Sequence, residues 1–337
     1  MKRIFRASGP LRRYMLGLSL LLVAAGLCAE PSSLIEELPE ETPVVRAQLL
    51  QAWWMDGSEG LDISGLSLCG GELLAVADKV SERIYRLAPE PGSDSVPLVP
   101  KVDFSRPPLP EDQPISVKAR ALHYASTPLS MDFEGITCDD SAIFLLSERH
   151  NRIVRLDQAS GKGEWMPVRW SESARNQGYL QLFNAESEGL VKIGGDFWVA
   201  LERDPRGLLK LESGDQVGQH FYTLPAVAGL DFRDRSEDLT ALAFYDGALF
   251  TLERNAFAVC RRSLATLVAE WCIEYRHIEE GPGYVYRKTN FGKGEGLAVN
   301  AQGIFVALDN NSVTRVAAPE DSRGLLMQLA FPSLGTD

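Results

Sequence analysis

The chain has 337 residues, with 46 acidic residues against 34 lysines and arginines and a formal net charge of −12 at pH 7. This charge argues against binding to nucleic acid or anionic lipid, and it would repel a phosphorylated substrate unless a cation lies between them. The length allows one large domain or a repeat architecture.

The first 29 residues are typical of a secretory signal peptide. A basic leader precedes an apolar run from Met15 to Leu27, which is too short to span a bilayer. We therefore predict a periplasmic or secreted protein that is not transmembrane. Cys28 leaves a lipid anchor open as the alternative, although Leu27 is larger than the residue that lipidation signals favour before the cysteine.

Removing the leader takes five positive charges away, so the net charge of the mature chain falls to about −17. We predict a short linker over residues 30–43 and a single domain over residues 44–333. We expect a monomer.

Five copies of one pattern follow along the chain. Each begins with an acidic or hydroxyl residue, then Gly or Asp, then Leu or Ile, and continues through a turn into an apolar run that ends in an acid. We call the opening residue the first anchor and the closing acid the second anchor. The predicted anchor pairs are Ser64 and Asp78, Glu134 and Glu148, Glu188 and Glu202, Glu237 and Glu253, and Glu295 and Asp309. The two anchors are fourteen residues apart in four copies and sixteen apart in the fourth.

Each copy predicts a β-hairpin followed by a third short strand. The second strands are rich in β-branched and aromatic residues and have turn residues on both sides. The predicted third strands are IYRL, IVRLD, LLKL, AVCRR and VTRV. Repeats of this length with three or four strands each are typical of a β-propeller.

We therefore predict an all-β propeller of five blades, with six as the alternative because the first interval is long. The segment Val44–Gly57 is predicted to close the ring against the last blade. The Pro-rich stretches at 88–100 and 105–114 favour an inserted loop over a strand.

Four cysteines remain after the leader. Cys260 and Cys272 are predicted on neighbouring strands, and Cys69 and Cys138 lie at similar places in the first two copies. An even number in an exported chain is compatible with two disulfides. Four buried free thiols are the alternative.

The repeated EGL or EGI, followed by a strand ending in SER or LER, resembles the phytase-like family described as having esterase-like activity of phytase. It is more loosely similar to the SdiA-regulated group of bacterial propellers. The most specific pieces are DFEGI…LLSERHNRI and ESEGL…ALERD, and the resemblance covers Trp53 to Val316. It implies an exported propeller with calcium-dependent phosphoesterase activity. The chain departs from the pattern at Ser64, Asp78 and Asp309.

The repeated acids have two interpretations. In the structural one, each carboxylate accepts backbone N–H bonds and fixes a turn. In the functional one, the acids converge near the axis and must protonate, pair with arginine or bind a cation, for which Ca²⁺ is the natural candidate. The predicted cation ligands are Glu134, Glu188, Glu237, Glu295 and Asp309. The predicted catalytic residues are Glu148, Arg149, Glu202, Arg203, Glu253, Arg254 and Lys293.

The favoured hypothesis is a metal-assisted phosphoesterase that acts on a small anionic ester. A non-catalytic propeller that binds a ligand or protein in the cell envelope is one alternative, and a calcium-dependent lactonase or esterase is another. The chain has no G-x-S-x-G motif, so a serine esterase of the α/β-hydrolase kind has no support.

Overall fold

The computed structural model describes residues 42–334, except residues 109, 111–129, 158, 183–184, 215–217 and 289. The predicted signal peptide, Cys28 and most of the predicted linker lie outside the described residues. No helix in the described part of the chain is long and apolar enough to cross a lipid bilayer.

The described chain is almost entirely β-structure. The strands are β1 (Val44–Arg46), β2 (Leu49–Asp56), β3 (Ile63–Cys69), β4 (Glu72–Ala77), β5 (Val80–Leu87), β6 (Ser95–Pro97), β7 (Val99–Asp103), β8 (Phe133–Cys138), β9 (Ala142–Ser147), β10 (Arg152–Asp157), β11 (Lys162–Trp165), β12 (Ser187–Ile193), β13 (Asp196–Leu201), β14 (Gly207–Leu211), β15 (Gln219–Thr223), β16 (Ala241–Tyr245), β17 (Ala248–Glu253), β18 (Ala258–Ser263), β19 (Ala269–Glu274), β20 (Gly294–Asn300), β21 (Gly303–Leu308) and β22 (Leu325–Leu329). The helices are α1 (Ser171–Asn176), α2 (Arg276–Glu279) and a 3₁₀ turn (Arg254–Ala256).

These strands form five sheets, which are the five blades of a propeller. From the inside outward, the blades are β3-β4-β5-β7, β8-β9-β10-β11, β12-β13-β14-β15, β16-β17-β18-β19-β1 and β20-β21-β22-β2-β6. The innermost strands β3, β8, β12, β16 and β20 contact one another in cyclic order, and β20 returns to β3. The prediction of an all-β propeller with five blades is confirmed, and the six-blade alternative is wrong.

The N-terminal segment closes the ring. Strand β2 is the fourth strand of blade 5 and pairs antiparallel with β22, with Trp54 opposite Leu325. Strand β1 adds a parallel edge strand to β19 of blade 4. The predicted closure by Val44–Gly57 is therefore confirmed, and it ties the first strands of the domain to the last.

Two local predictions are wrong. The third strand of blade 5 is β22, not VTRV at 313–316, because the backbone turns at Asn311 and Ser312, which both have positive φ. The first Pro-rich stretch contains β6 and the first two residues of β7 and is not simply a loop. Both strands lie at sheet edges, where a proline interrupts no ladder of hydrogen bonds.

Apolar side chains fill the spaces between blades. Each of the five blade interfaces has its own cluster of buried hydrophobic residues, supplied by alternate faces of neighbouring sheets. In β9, for example, Phe144 and Leu146 pack toward blade 3, and Ile143 and Leu145 pack toward blade 1.

The four cysteines form two disulfides, in a pairing that the sequence alone left open. Cys69 bonds to Cys138 and joins the inner strands of blades 1 and 2. Cys260 bonds to Cys272 across the neighbouring strands β18 and β19.

Candidate functional site

The structure shows which residue of blade 4 corresponds to the first anchor of the other copies. The Ser64 hydroxyl donates a hydrogen bond of 2.5 Å to the carbonyl of Phe133, which directly precedes the first anchor of the next blade. The Thr240 hydroxyl makes the same bond, 2.8 Å long, to the carbonyl of Gly294, which directly precedes the first anchor of blade 5. Thr240 is therefore the first anchor of blade 4, and the assignment of Glu237 to this position is wrong.

The second anchor of blade 4 is Arg254. Side chains of a strand alternate between its two faces, and Leu252 packs in the cluster between blades 4 and 5. Arg254, two residues later, lies on the same side, whereas Glu253 faces blade 3 and pairs with Arg206. With Thr240 and Arg254 as anchors, the spacing of fourteen holds in all five copies.

Glu237 and Glu253 lie apart from the other predicted acids. The Glu237 side chain is 53% exposed and pairs with Arg206 at 2.9 Å. Glu253 is fully buried between Arg206 and Arg262. These contacts form a link between blades 3 and 4 that does not include the remaining candidate residues.

A further position, two residues before each first anchor, was not predicted from the sequence. We call it the leading position, and its residues are Asp62, Asp132, Glu186, Asp238 and Lys293. In four blades its carbonyl accepts the backbone N–H of the second anchor at 2.8–2.9 Å. The signal was present in the sequence, because four of the five first anchors have an acid two residues upstream.

Together the three positions of each blade form what we call the axial cluster. Its members are Asp62, Ser64 and Asp78 of blade 1; Asp132, Glu134 and Glu148 of blade 2; Glu186, Glu188 and Glu202 of blade 3; Asp238, Thr240 and Arg254 of blade 4; and Lys293, Glu295 and Asp309 of blade 5. We call the residues of blades 1 to 3 the acidic half, which holds eight acids and no cation. The residues of blades 4 and 5 are the paired half, which holds three acids and two cations.

The inner strands are built to bring the first anchors together. β3, β8, β12 and β20 each carry a β-bulge at or beside the first anchor, a device that re-aims a side chain. The following glycine lets neighbouring blades approach closely. A Cβ on Gly135 would lie 2.9 Å from the backbone nitrogen of Leu190, and one on Gly189 would lie 2.9 Å from the Cα of Ala241.

Two groups of carboxylates in the acidic half have oxygens close enough to share one cation. Asp78, Asp132 and Glu134 form one group, and Glu148, Glu188 and Glu202 form the other. Within each group, one oxygen from every residue lies within 4.8 Å of the others. The first group is partly exposed and the second is buried.

Repulsion among these acids is visible in their pKa values. Burial raises the pKa of Glu134 and of Glu148 well above the ordinary value, and the negative charge of Glu188 raises both further. Burial also raises the pKa of Asp132 to about 8, helped by a hydrogen bond with the Asp78 carboxylate. Acids from different blades therefore converge, and their burial and mutual repulsion favour the protonated forms unless a cation compensates their charge.

In the paired half, Arg254 compensates the charge of the buried carboxylates. Its guanidinium donates to Glu202 at 2.5 Å, to Asp238 at 2.9 Å and to Glu295. Burial alone would lower the pKa of Arg254, but the carboxylates of Glu295 and Asp238 raise it well above the ordinary value. Arg254 therefore stays charged and connects blades 3, 4 and 5.

Lys293 is the second cation of the paired half and is 1% exposed. Its ammonium group lies 4.7 Å from the centre of the Phe291 ring, and its backbone N–H donates to Glu279. Burial lowers the pKa of Lys293. The last predicted ligand, Asp309, closes this half, and burial together with the charge of Asp62 raises its pKa to about 7.

Three more cations follow the second anchors of the acidic half directly. Lys79 pairs with Asp62 and Asp78, Arg149 with Asp132 at 3.3 Å, and Arg203 with Glu202. Their side chains are 53%, 28% and 26% exposed, so they form a partly solvated rim over the buried acids. We call them the rim cations.

Comparison with known proteins supports the fold. Glutaminyl cyclase from Myxococcus xanthus is 12% identical, with a TM-score of 0.51 over 86% of this chain and 99% of that one. A PQQ-bound aldose sugar dehydrogenase from Streptomyces coelicolor is 12% identical, with a TM-score of 0.40 over 84% and 98%. A virginiamycin B lyase from Staphylococcus aureus is 11% identical, with a TM-score of 0.39 over 79% and 66%.

The likeness to glutaminyl cyclase agrees with the propeller fold and does not extend to activity. No protein-family model and no curated protein matches the chain. The phytase-like resemblance therefore stays a prediction.

Proposed function

We propose that this protein is an exported five-bladed propeller that binds calcium at the axial cluster and hydrolyses a small phosphate ester there. The observation that carries the proposal is the convergence of buried carboxylates in the acidic half. Two disulfides support a location outside the cytoplasm, where such bonds persist.

The ligand set fits calcium. Only carboxylate oxygens converge in the two groups of the acidic half, and calcium prefers six to eight oxygen ligands at 2.3–2.6 Å. Neither group contains a histidine or a cysteine, which would favour zinc. When bound, calcium supplies a Lewis acid that offsets negative charge on a phosphate.

The rim cations provide the second element of the proposal. Lys79, Arg149 and Arg203 stand beside the second anchors of three adjacent blades and are partly exposed. Arginine and lysine bind phosphate oxygens through charge-assisted hydrogen bonds. An anionic ester therefore meets positive charge at the rim, even though the chain as a whole is strongly acidic.

The overall reaction is simple to state. The oxygen of a water molecule forms a new bond to phosphorus, the ester P–O bond breaks, and a proton passes to the departing alcohol. The chain's own groups contribute by holding the ester at the rim, placing carboxylates beneath it and keeping the charge of the buried acids compensated.

The test is phosphate release from p-nitrophenyl phosphate with added calcium and with EDTA. We expect turnover with calcium only, and a loss of about 100-fold or more in Glu188→Gln, since the variant lacks a buried carboxylate of the site. Glu237→Gln is the matched control, because that side chain is exposed and lies outside the axial cluster.

Other outcomes separate the competing functions. Turnover of p-nitrophenyl acetate without phosphate release would replace the proposal with a calcium-dependent esterase or lactonase. No turnover of either ester with calcium present would favour a propeller that binds a ligand without catalysis.

A further inference from the structure

We propose that the axial cluster has one cation-binding seat, formed by Glu148, Glu188 and Glu202, and that the Arg254 guanidinium takes the corresponding place between blades 3, 4 and 5. The inference deepens the proposed function, since it rests on cation binding at this site. It does not depend on which reaction the site carries out.

Distances support the seat. Oxygens bound to one calcium ion at 2.3–2.6 Å are at most about 5 Å apart. One oxygen each from Glu148, Glu188 and Glu202 lies within 4.8 Å of the other two, so all three can reach a common ion. The three residues are 8%, 8% and 2% exposed, so solvent screens their repulsion poorly.

The hydrogen bonding of these acids is a separate observation that points to a missing ligand. Among the described residues, the Glu188 side chain makes no direct hydrogen bond or ion pair, although it is more than nine-tenths buried, and Arg254 and Arg203 act on its charge only at longer range. The Oε2 atom of Glu202 is also buried without a partner, while its Oε1 accepts from Arg254. A buried carboxylate oxygen that lacks a partner is costly unless an ion or water completes its contacts.

Arg254 explains why the cluster has one seat and not two. In four blades the second anchor is an acid, and in blade 4 it is this arginine. Its three nitrogens contact three carboxylates from three blades, namely Glu202, Asp238 and Glu295. This is the contact set that a bound cation would make, and it shares Glu202 with the seat.

Two of the three acids in the other group of close carboxylates, Asp78 and Asp132, already have partners. Asp78 and Asp132 share a hydrogen bond, and each also contacts a rim cation, Lys79 or Arg149. Their side chains are 20% and 21% exposed, so water also reaches them. We therefore expect this group to bind no second ion of comparable affinity.

The experiment is calorimetric titration of the folded mature protein with calcium chloride. We expect one calcium per wild-type chain and at least about a 100-fold loss of affinity in Glu188→Gln, with Glu237→Gln unchanged. Arg254→Met should bind a second calcium, because the variant frees three carboxylates that the guanidinium held.

Several outcomes overturn the inference. They are no binding to wild type, two equivalent sites in wild type, or unchanged affinity in Glu188→Gln. The calcium affinity of Glu188→Gln tests the inference even if Arg254→Met does not fold. One calcium bound through Glu188 without ester hydrolysis would reject the phosphoesterase and keep the seat. Calcium-dependent ester hydrolysis in wild type, together with unchanged calcium affinity in Glu188→Gln, would keep the phosphoesterase and reject the seat.

Discussion

The two halves of the axial cluster start from the same repeat and compensate their buried charge differently. In blades 1 to 3, eight of the nine positions are acids, with Ser64 as the exception, and the rim cations that follow the second anchors are partly exposed to solvent. In blades 4 and 5, cations take two positions of the cluster itself, at Arg254 and Lys293. The paired half carries its counter-charge in its sequence, whereas we propose that a cation from solution supplies the counter-charge of the acidic half.

The difference follows from the cost of buried charge. A carboxylate removed from water must gain a partner or take up a proton. Glu295 pairs directly with Arg254, although burial still raises its pKa well above the ordinary value. Glu188 makes no direct hydrogen bond or ion pair in the described part of the chain, and only the more distant charges of Arg254 and Arg203 offset its burial. Arg254 and Lys293, which depart from the repeat, thus stabilise the fold. The acids that keep the repeat are where we expect a ligand.

The strongest test of the paired half is removal of its arginine. Arg254→Met should lower the free energy of unfolding by about 5 kcal/mol in EDTA, because three buried carboxylates lose their shared partner. Urea denaturation of wild type and variant would measure the loss. Arg235→Met, an exposed arginine, is the matched control and should change stability by less than about 0.5 kcal/mol. A loss below about 1 kcal/mol in Arg254→Met would mean that the acids are compensated in another way.

A second test concerns pH and uses Glu279, which lies beside Lys293 and is 3% exposed. Burial raises the pKa of Glu279 to about 8, against an ordinary value of 4.5. The folded protein therefore holds this proton more tightly than the unfolded chain does. The resulting stability is complete below pH 4.5 and is lost as the pH rises toward 8, by on the order of 4 kcal/mol.

Glu279→Gln cannot ionise and should keep that stability. Denaturation at pH 5 and at pH 8 would show a smaller decrease in the variant than in wild type. The amide oxygen can still accept the Lys293 backbone N–H, so the variant preserves the local hydrogen bond. Equal decreases in the two proteins would show that Lys293 or water stabilises the ionised carboxylate.

The sequence was sufficient to predict much of this architecture. Five hairpins, their apolar second strands and the closing N-terminal segment all follow from spacing and composition, because each blade repeats the same packing problem. Alternation along β9 is a local rule of this kind, and it puts Glu148 on the face of Phe144 and Leu146, toward blade 3.

The arrangement of the site was harder to predict. In blade 4, the prediction chose the acids Glu237 and Glu253 because of their residue type. The constant spacing of fourteen would have identified Thr240 and Arg254. A shift of one residue moves a side chain to the opposite face of a strand, so Glu253 joins Arg206 and not the axis. Which carboxylates converge depends on how the blades tilt, and no local pattern encodes that.

The third prediction probes a partnered acid of the paired half. Glu295→Gln keeps the shape of the side chain but removes the charge that faces Arg254. The variant should lose about 1.5–3 kcal/mol of stability in EDTA, the usual contribution of a charge-assisted hydrogen bond. Urea denaturation at pH 7.5 would measure the change. An increase in stability would show that the arginine does not compensate this acid.

The smallest expected effect has the opposite sign and lies in the acidic half. Glu188→Gln removes a buried charge that repels Glu134 and Glu148 and that makes no direct hydrogen bond or ion pair in the described part of the chain; only the longer-range attraction of Arg254 and Arg203 is lost. In EDTA at pH 7.5 the variant should therefore be about 1 kcal/mol more stable than wild type.

Calcium should reverse that order. At about 100 times its dissociation constant, calcium stabilises a protein with one site by about 2.7 kcal/mol. Wild type should gain this amount and Glu188→Gln should gain almost none, so that wild type becomes the more stable of the two. Urea denaturation of both proteins, with EDTA and with calcium, would measure this reversal in their order of stability. If Glu188→Gln destabilises the protein in EDTA as Glu295→Gln does, then Glu188 has an internal partner, and the acidic half is compensated by the chain itself.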